Sequence, residues 1–265
     1  MIHYGWIISA IAIVLVHQDR ARPATRRAEG PATQRKILPF PKHEARWVVH
    51  GKVKADTMIQ PRKLAVQATV QQLRGKTVED PSRLCNAKNL TLPNVLVVVS
   101  KVGNTPIHRR WQFEVPEDPV LLDQVRCQLV PHVIALMTGQ ELRITNSDDI
   151  LHNVHWRGRK NPRFNFAHRK GERTSKWFAA AESSTIGCDI HPWTRCLVHI
   201  LSHPVFAVSD EHGRFSLPKL PDGDYELVAT HELLGKITQK IKIEGKPRKW
   251  VIFVFKVPGK LRAPK

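Results

Sequence analysis

Short apolar runs separated by turn-forming residues occupy the chain from Trp47 onward. Apolar and polar residues alternate in Leu142–Thr145, as in a strand with one buried face, whereas Val95–Val99 is apolar throughout, as in a strand buried on both faces. Glycine, proline, asparagine and aspartate separate the runs, and no amphipathic helical window of useful length occurs. The pattern predicts an all-β fold built from sandwiches, with further strands at Trp47–Val53, Val130–Leu136, Cys196–Leu201, Tyr225–Thr230, Ile237–Ile243 and Trp250–Phe255.

The N-terminal segment contains one long apolar stretch, Trp6–Val16, with a single serine and no charge. As a helix it would span roughly 17 Å, too short for a ~30 Å hydrocarbon core but suited to the apolar region of an export signal. We expect residues 1–18 to be a cleaved signal peptide or a retained N-terminal anchor, and the protein to be extracytoplasmic, in the periplasm or secreted. A buried N-terminal strand or helix is the alternative interpretation.

Two further segments are basic and lack a periodic apolar pattern. Residues 19–46 are rich in proline and arginine, and they bury too little apolar surface to offset the entropy of ordering them. We predict that they form a linker and that residues 258–265 form a basic tail.

The composition and charge exclude several classes of protein. Of 265 residues, 42% are hydrophobic and 25% are charged, which is ordinary globular usage and excludes wholesale disorder. No second long apolar run exists, so we expect no membrane span beyond the N-terminal segment. Lysine and arginine outnumber acidic residues by 42 to 23, a net charge of +19 that would suit nucleic acid. We expect no nucleic-acid partner, because helix-turn-helix and zinc-finger spacings are missing from the sequence.

The strongest chemical signal lies between Gly139 and Arg195. A predicted strand at 142–145 and a polar turn at 146–149 lead to His152, and the motif C-D-I-H-P-W then supplies Cys188 and His191 on one tight loop. Two imidazoles and one thiolate are the trigonal ligand set of mononuclear electron-transfer copper sites. The sequence therefore predicts copper as the cofactor. A buried cysteine with two histidines on the surface is the alternative.

The ordered motifs G-x-x-L, N-x-D, H-N-V and C-x-x-H-P-W resemble those of a cupredoxin of the plastocyanin and amicyanin type, and the loop is most similar to the short amicyanin loop. The resemblance covers residues 121–203, and we place the domain at 119–203. It implies a Greek-key sandwich in which His152, Cys188 and His191 are the equatorial ligands of a type 1-like copper. It also implies a role in one-electron transfer.

The axial position departs from that resemblance, because Thr194 stands where the loop carries methionine and no methionine follows Cys188. Three outcomes stay open: a trigonal ion with a weak Thr194 or backbone oxygen contact, a more tetragonal ion with bound water, or a vestigial site. The potential of such copper depends on the axial ligand.

Neighbours of the ligands have weaker assignments. By the resemblance, Asn153 and Asp189 tie the two ligand loops together and orient the ligands, although ordinary turn residues would have the same pattern. We interpret His132 and His155 as histidines at strand ends and not as ligands.

A second β module follows residue 203. The stretch Phe206–Leu227 resembles the G-x-F-x-L-x-x-L-P-x-G-x-Y-x-L pattern of carboxypeptidase-regulatory, transthyretin-like sandwiches. We suggest that residues 47–118 and 204–257 form the two halves of that sandwich with the other domain inserted between them; two consecutive domains are the alternative. The combination resembles bacterial extracytoplasmic proteins described as methylamine-utilisation-like.

Three cysteines remain beside Cys188. In an oxidising compartment a disulfide between Cys85 and Cys127 would add about 2–4 kcal/mol of stability, and we favour that pair. A Cys127–Cys196 disulfide is the alternative, and otherwise Cys196 is a buried thiol.

The positive charge suggests a partner. Arg157–Lys176 holds eight basic residues and one acidic residue, and it includes Arg159 and Lys160. A basic rim of this kind would steer an acidic redox partner towards the copper, and Trp193 would provide an apolar docking point. A solvated basic surface with no partner is the alternative.

The predicted function is one-electron transfer by an extracytoplasmic copper protein that is not an enzyme. Two alternatives are a copper-binding or chaperone module without fast redox cycling, and a structural or polyanion-binding protein with a vestigial site. The sequence has no H-x-H pair for a multicopper cluster. A Cys–His hydrolase is disfavoured, because Cys188 and His191 share one short loop.

Overall fold

The computed structural model describes residues 37–67, 77–245 and 248–263, with no account of the side chains of residues 248 and 249. The signal peptide or anchor expected at residues 1–18, and the greater part of the linker expected at 19–46, lie outside the described residues. Within the described part of the chain, no helix is long and apolar enough to cross a membrane.

Among the described residues before residue 113 are seven short strands and one helical turn, and a 3-10 turn lies at Pro81–Arg83. They are β1 (Leu38–Pro39), β2 (Val48–Ala55), β3 (Lys63–Ala65), β4 (Thr77–Glu79), β5 (Leu96–Val102), β6 (Thr105–Pro106), α1 (Ile107–Arg110) and β7 (Trp111–Gln112). The pair β3–β4 forms a separate antiparallel hairpin, and β1 pairs with β7.

Nine strands between residues 120 and 201 form two sheets, which we call the inner sandwich. They are β8 (Val120–Val125), β9 (Gln128–Val130), β10 (Val133–Met137), β11 (Leu142–Asn146), β12 (His152–Trp156), β13 (Phe164–His168), β14 (Arg173–Lys176), β15 (Glu182–Gly187) and β16 (Arg195–Leu201). The sheet orders are β10-β16-β15-β12-β13 and β14-β11-β8-β9. Alternate residues of both sheets, such as Ile144 and Val154, are buried in one core around Trp156.

Strands on both sides of the inner sandwich pair with one another to form what we call the outer sandwich. The later strands are β17 (Phe206–Val208), β18 (Arg214–Ser216), β19 (Gly223–His231), β20 (Gly235–Ile243) and β21 (Arg248–Phe255), followed by a 3-10 turn at Gly259–Leu261. One sheet has the order β17-β5-β19-β20, with β6 beside β5, and the other has the order β18-β2-β21. The all-β class predicted from the sequence is confirmed.

The segments expected to be a linker and a tail pack against the outer sandwich where they are described. Phe40 stacks on Phe113 at 5.0 Å between ring centroids and meets Trp111 edge to face at 5.2 Å. Leu261 is buried in the outer core, and Arg262 forms a β-bridge with Ile59. The described parts of the predicted linker and basic tail thus contact the outer core, and the area that their apolar side chains bury offsets the entropy of ordering them.

The expected Cys85–Cys127 disulfide is not formed, nor is the Cys127–Cys196 alternative. The three thiols belong to different clusters: Cys85 packs on the outer core, Cys127 packs with Trp193, and Cys196 lies inside the inner core. Burial raises the pKa of the Cys196 thiol, as expected of an inert core residue.

The two sandwiches, which lie in one compact unit, meet at a partly buried ion cluster. Glu232, in the turn between β19 and β20, bonds the ring of His132 at 2.8 Å and the guanidinium of Arg195. Burial alone would raise the pKa of Glu232, but the hydrogen bonds from His132 and Arg195 outweigh burial and lower it. Arg195 is the first residue of β16 and directly follows Thr194, so the outer sandwich holds one end of the predicted ligand loop.

We predict that Glu232→Gln lowers the free energy of unfolding by about 2 kcal/mol at neutral pH, because it removes a partly buried charge that two donors share. A carboxylate with a lowered pKa stabilises the fold above its unfolded pKa, and this stabilisation is lost as pH falls through the folded value. The difference between the two proteins should therefore shrink below about pH 4.5. Urea unfolding at several pH values measures it.

The matched control is Glu211→Gln, since that side chain is exposed on the outer sandwich and pairs only with neighbouring His212. It should leave the unfolding midpoint unchanged. A loss for Glu232→Gln that is the same in acid and at neutral pH would contradict the ionic role.

Candidate metal centre

The turn before β12 fixes the position of His152. The side-chain oxygen of Asn146 accepts the Asp148 N–H at 2.9 Å, and its amide nitrogen donates to the carbonyls of Ile150 (3.0 Å) and His168 (2.8 Å). These bonds satisfy the backbone of a turn that has no sheet partner. His152 follows as the first residue of β12 and is fully buried.

The loop between β15 and β16 brings the other two residues together. The Cys188 N–H donates to the Thr194 carbonyl at 3.1 Å, and the Thr194 N–H donates to the His191 carbonyl at 2.8 Å. The loop is thus closed by its own backbone, and Cys188 and His191 point to the same side. Both residues are buried.

Three donor atoms converge on one point. The Nδ1 atoms of His152 and His191 are 3.0 Å apart, and the Cys188 sulfur lies 3.9 Å from the first and 3.6 Å from the second. A trigonal ion with metal–nitrogen bonds near 2.0 Å and a metal–sulfur bond near 2.3 Å would separate its donors by about 3.5 Å (N–N) and 3.7 Å (S–N). The residues fit a single metal ion with shifts of about half an ångström.

The environment of Cys188 favours the thiolate, the form that binds metal. Burial would raise the pKa of the thiol, but the interaction with the neighbouring His152 ring and the backbone amides around the sulfur outweigh burial and lower it. One of these amides, the Asn153 N–H, donates to the sulfur at 3.4 Å. That bond also joins the cysteine to the histidine strand.

Asn153 and Asp189 link the two ligand loops. The Asp189 N–H donates to the Asn153 side-chain oxygen at 2.6 Å, and the Asn153 amide donates to the Asp189 carboxylate at 3.1 Å. Asp189 also binds His155 at 2.9 Å and Arg157 at 2.6 Å. The His155 hydrogen bond is the main cause that lowers the pKa of Asp189, to about 2. The carboxylate is therefore charged at neutral pH.

Asp148 is a residue that the sequence analysis did not single out. Its carboxylate lies 2.8 Å from Nε2 of His152, and it accepts the N–H groups of Cys127 (2.6 Å) and Arg126. With the Nε2 proton donated to Asp148, the lone pair of His152 is on Nδ1, the atom that faces Cys188 and His191. A carboxylate behind a metal-binding imidazole fixes its tautomer and orientation. The only sequence signal was the N-S-D turn four residues ahead of His152.

Thr194, the residue at the expected axial position, is hydrogen-bonded to Cys127. Thr194 is buried, and its hydroxyl donates to the Cys127 carbonyl at 2.5 Å, which also accepts the Trp193 indole N–H at 3.0 Å. Arg126 and Cys127 have positive φ angles of 51° and 56°, so a tight turn brings this carbonyl to the loop. The Cys127 sulfur, a carboxylate oxygen of Asp148 and a ring nitrogen of His152 lie within 4.8 Å of one another.

Trp193 was expected to be a docking point on the surface, and that expectation is wrong. Trp193 is only 9% exposed, because Val66 and Val78 pack against it together with Cys127. Val66 directly follows β3, and Val78 lies in β4. The hairpin is remote in sequence from residue 193, so no local pattern indicated this cover.

Of the predicted basic rim, Arg157 lies at the site, whereas Arg159 and Lys160 lie near Glu182, at the opposite end of β15 from Cys188. Arg157 is exposed and is paired with Asp189. Arg159 and Lys160 are exposed, and their backbone N–H groups donate to Glu182 at 2.9 and 3.1 Å. His132 and His155, which we interpreted as histidines at strand ends, each form a hydrogen bond with a carboxylate. His132 bonds Glu232, and His155 bonds Asp189.

No protein-family model matches the sequence, and no curated protein matches it. Solved structures that match part of the chain include the copper-containing nitrite reductase of Thermus scotoductus, at 18% identity over 39% of this chain and 25% of that one, with a TM-score of 0.30. A purple cupredoxin from Nitrosopumilus maritimus matches at 19% identity over 31% of this chain and 99% of that one, with a TM-score of 0.28. A Cu(I) amicyanin variant matches at 20% identity over 33% and 87%, with a TM-score of 0.29.

We predict that Asp148→Asn weakens metal binding about 10–100-fold, because the amide no longer holds His152 with its lone pair towards the other ligands. Competition with a chelator measures the affinity. Asp149→Asn is the matched control, since the neighbouring carboxylate is exposed and pairs only with Lys170 at 3.0 Å. Equal metal affinities for the two variants would contradict the role of Asp148 in orienting His152.

Proposed function

We propose that the protein is an extracytoplasmic copper protein that carries single electrons through a centre held by His152, Cys188 and His191. The observation that carries the proposal is the meeting of one sulfur and two Nδ1 atoms, from two loops tied together by Asn153 and Asp189. Copper is the ion that this donor set suits, as a trigonal arrangement of one thiolate and two imidazoles. The N-terminal apolar segment supports the location.

The bound copper would supply the one-electron step, by cycling between Cu(I) and Cu(II). The chain's own part is to hold the ligands still. Cys188 and His191 are fixed by the backbone bonds of their loop, and His152 by Asp148 on its far nitrogen. A site that keeps its geometry in both oxidation states needs little rearrangement when an electron arrives or leaves.

Burial of the three ligands favours a carrier over an enzyme. His152, Cys188 and His191 are each at most 3% exposed. A substrate would need an open position on the ion, whereas an electron needs only a short path to the surface. Ile190 lies between two of the ligands and is 41% exposed, so it offers that path an apolar surface contact.

Position 194 carries threonine and not methionine, and this affects the reduction potential of the proposed copper. Thr194 commits its proton to the Cys127 carbonyl, and its oxygen is at most a weak donor to copper. Less axial donation favours Cu(I), and we propose a reduction potential higher than that of the same site with methionine at 194.

A second candidate is copper binding without fast redox cycling. The observation that favours it is the Cys127 sulfur, which lies within 4.8 Å of a His152 ring nitrogen and of Asp148. If this thiol joined the copper ligands, it would hold Cu(I) more firmly than Cu(II), because thiolates are soft ligands. A colourless protein that binds Cu(I) would indicate this function.

We predict that copper(II) added to the purified protein gives an intense visible charge-transfer band at one equivalent, because the Cys188 thiolate bonds directly to the ion. Cys188→Ser should abolish the band. Cys196→Ser is the matched control: its thiol is equally buried but lies in the inner core. Loss of the band in both variants, or in neither, would contradict the ligand assignment.

We also propose that the partner is acidic and docks beside Arg157, Arg159 and Lys160. Reduced protein should be oxidised by ferricyanide, an anionic oxidant, faster at about 10 mM salt than at about 0.5 M, because salt screens the attraction. Arg159→Gln with Lys160→Gln should slow the reaction about two- to tenfold at low salt only.

The control removes the same charge from the outer sandwich, by Lys88→Gln with Lys219→Gln, two exposed lysines. Oxidation rates that ignore salt, or that fall equally in both double variants, would rule out steering by the rim.

A further inference from the structure

One face of the outer sandwich combines exposed apolar and basic side chains. In the sheet β18-β2-β21, residues that pair directly across strands share a face, and the register pairs Lys52 with both Arg214 and Ile252. We call this surface the outward face. It comprises Arg214 and Ser216 on β18, His50, Lys52 and Lys54 on β2, and Trp250, Ile252 and Val254 on β21.

The apolar residues of the outward face are not needed for the core. Val251, Phe253 and Phe255 of the same strand are buried and fill the outer core. Trp250, Ile252 and Val254 point the other way and are 60%, 55% and 50% exposed. Three large apolar side chains in a row on a strand at the edge of its sheet form the kind of patch that marks an interaction site.

The charge of the outward face is positive. Lys52 lies beside Ile252 and Lys54 beside Val254, and none of the eight residues is acidic. Arg214 is paired with the Asp210 carboxylate at 3.0 Å, so the two lysines are the charges available to a partner. A second copy of a chain with net charge +19 would be repelled here. The occupant must therefore accept apolar groups and carry negative charge.

We propose that the outward face binds the surface of an anionic lipid bilayer. Trp250 has an apolar body with a polar N–H, as suits the interface between headgroups and acyl chains. Lysine stems lie along apolar surface while their ammonium groups reach phosphates. A sheet face presents both kinds of group at one level, which a bilayer can contact at once. This site is separate from the metal ligands and does not depend on the proposed copper function.

Hydroxyl-radical footprinting of the full chain tests the proposal, because it reports on single side chains even if the N-terminal segment also holds the protein to vesicles. Trp250 and Trp177 are 60% and 61% exposed and should be oxidised at similar rates in free protein. With vesicles of phosphatidylglycerol and phosphatidylcholine, oxidation of Trp250 should fall several-fold while Trp177 is unchanged. Vesicles of phosphatidylcholine alone should protect neither tryptophan.

Two variants sharpen the test. Lys52→Gln with Lys54→Gln should weaken lipid protection of Trp250 about fivefold for each lysine removed, and Lys88→Gln with Lys219→Gln should leave it intact. Equal protection of Trp177 would indicate unspecific adsorption and overturn the proposal. Protection of Trp250 by heparin but not by vesicles would also overturn it, in favour of an acidic macromolecule.

Discussion

The hydrogen bonds between Asn153 and Asp189 are the constraint on which the candidate metal centre depends. The two residues are 36 positions apart in sequence, and their paired bonds at 2.6 and 3.1 Å hold the histidine strand against the cysteine loop. The pairing of β12 with β15 and the Asn153 N–H bond to the Cys188 sulfur act in the same sense. These contacts fix His152, which belongs to a different strand and a different loop, relative to Cys188 and His191.

Contacts on the far side of the three candidate ligands stabilise the same arrangement. Asp148 fixes the tautomer of His152. The Cys127 carbonyl accepts hydrogen bonds from the Thr194 hydroxyl and the Trp193 indole. The outer sandwich adds Glu232, which binds Arg195 at the end of the ligand loop. The site is thus supported from both sandwiches, and this explains why a chain with two cores keeps them in contact at this place.

Much of the account could be predicted from the sequence because it depends on local pattern. Alternating apolar residues predicted strands such as β11, and the spacing of Cys188 and His191 placed both on one loop. What could not be predicted depends on contacts between distant segments. Trp193 is buried by a hairpin more than a hundred residues earlier, and Cys127 lies beside Thr194 instead of pairing with Cys85. The role of Asp148 was missed because an aspartate in a turn has an ordinary local explanation as well.

The central claim is that Cys188 sulfur and two imidazole nitrogens bind one copper ion. X-ray absorption at the copper edge tests it most directly, because it measures the distances from the ion to its ligands whatever the colour or potential of the site. The account predicts two nitrogen neighbours at about 2.0 Å and one sulfur at about 2.3 Å, in both oxidation states. A shell of nitrogen and oxygen with no short sulfur distance would contradict it.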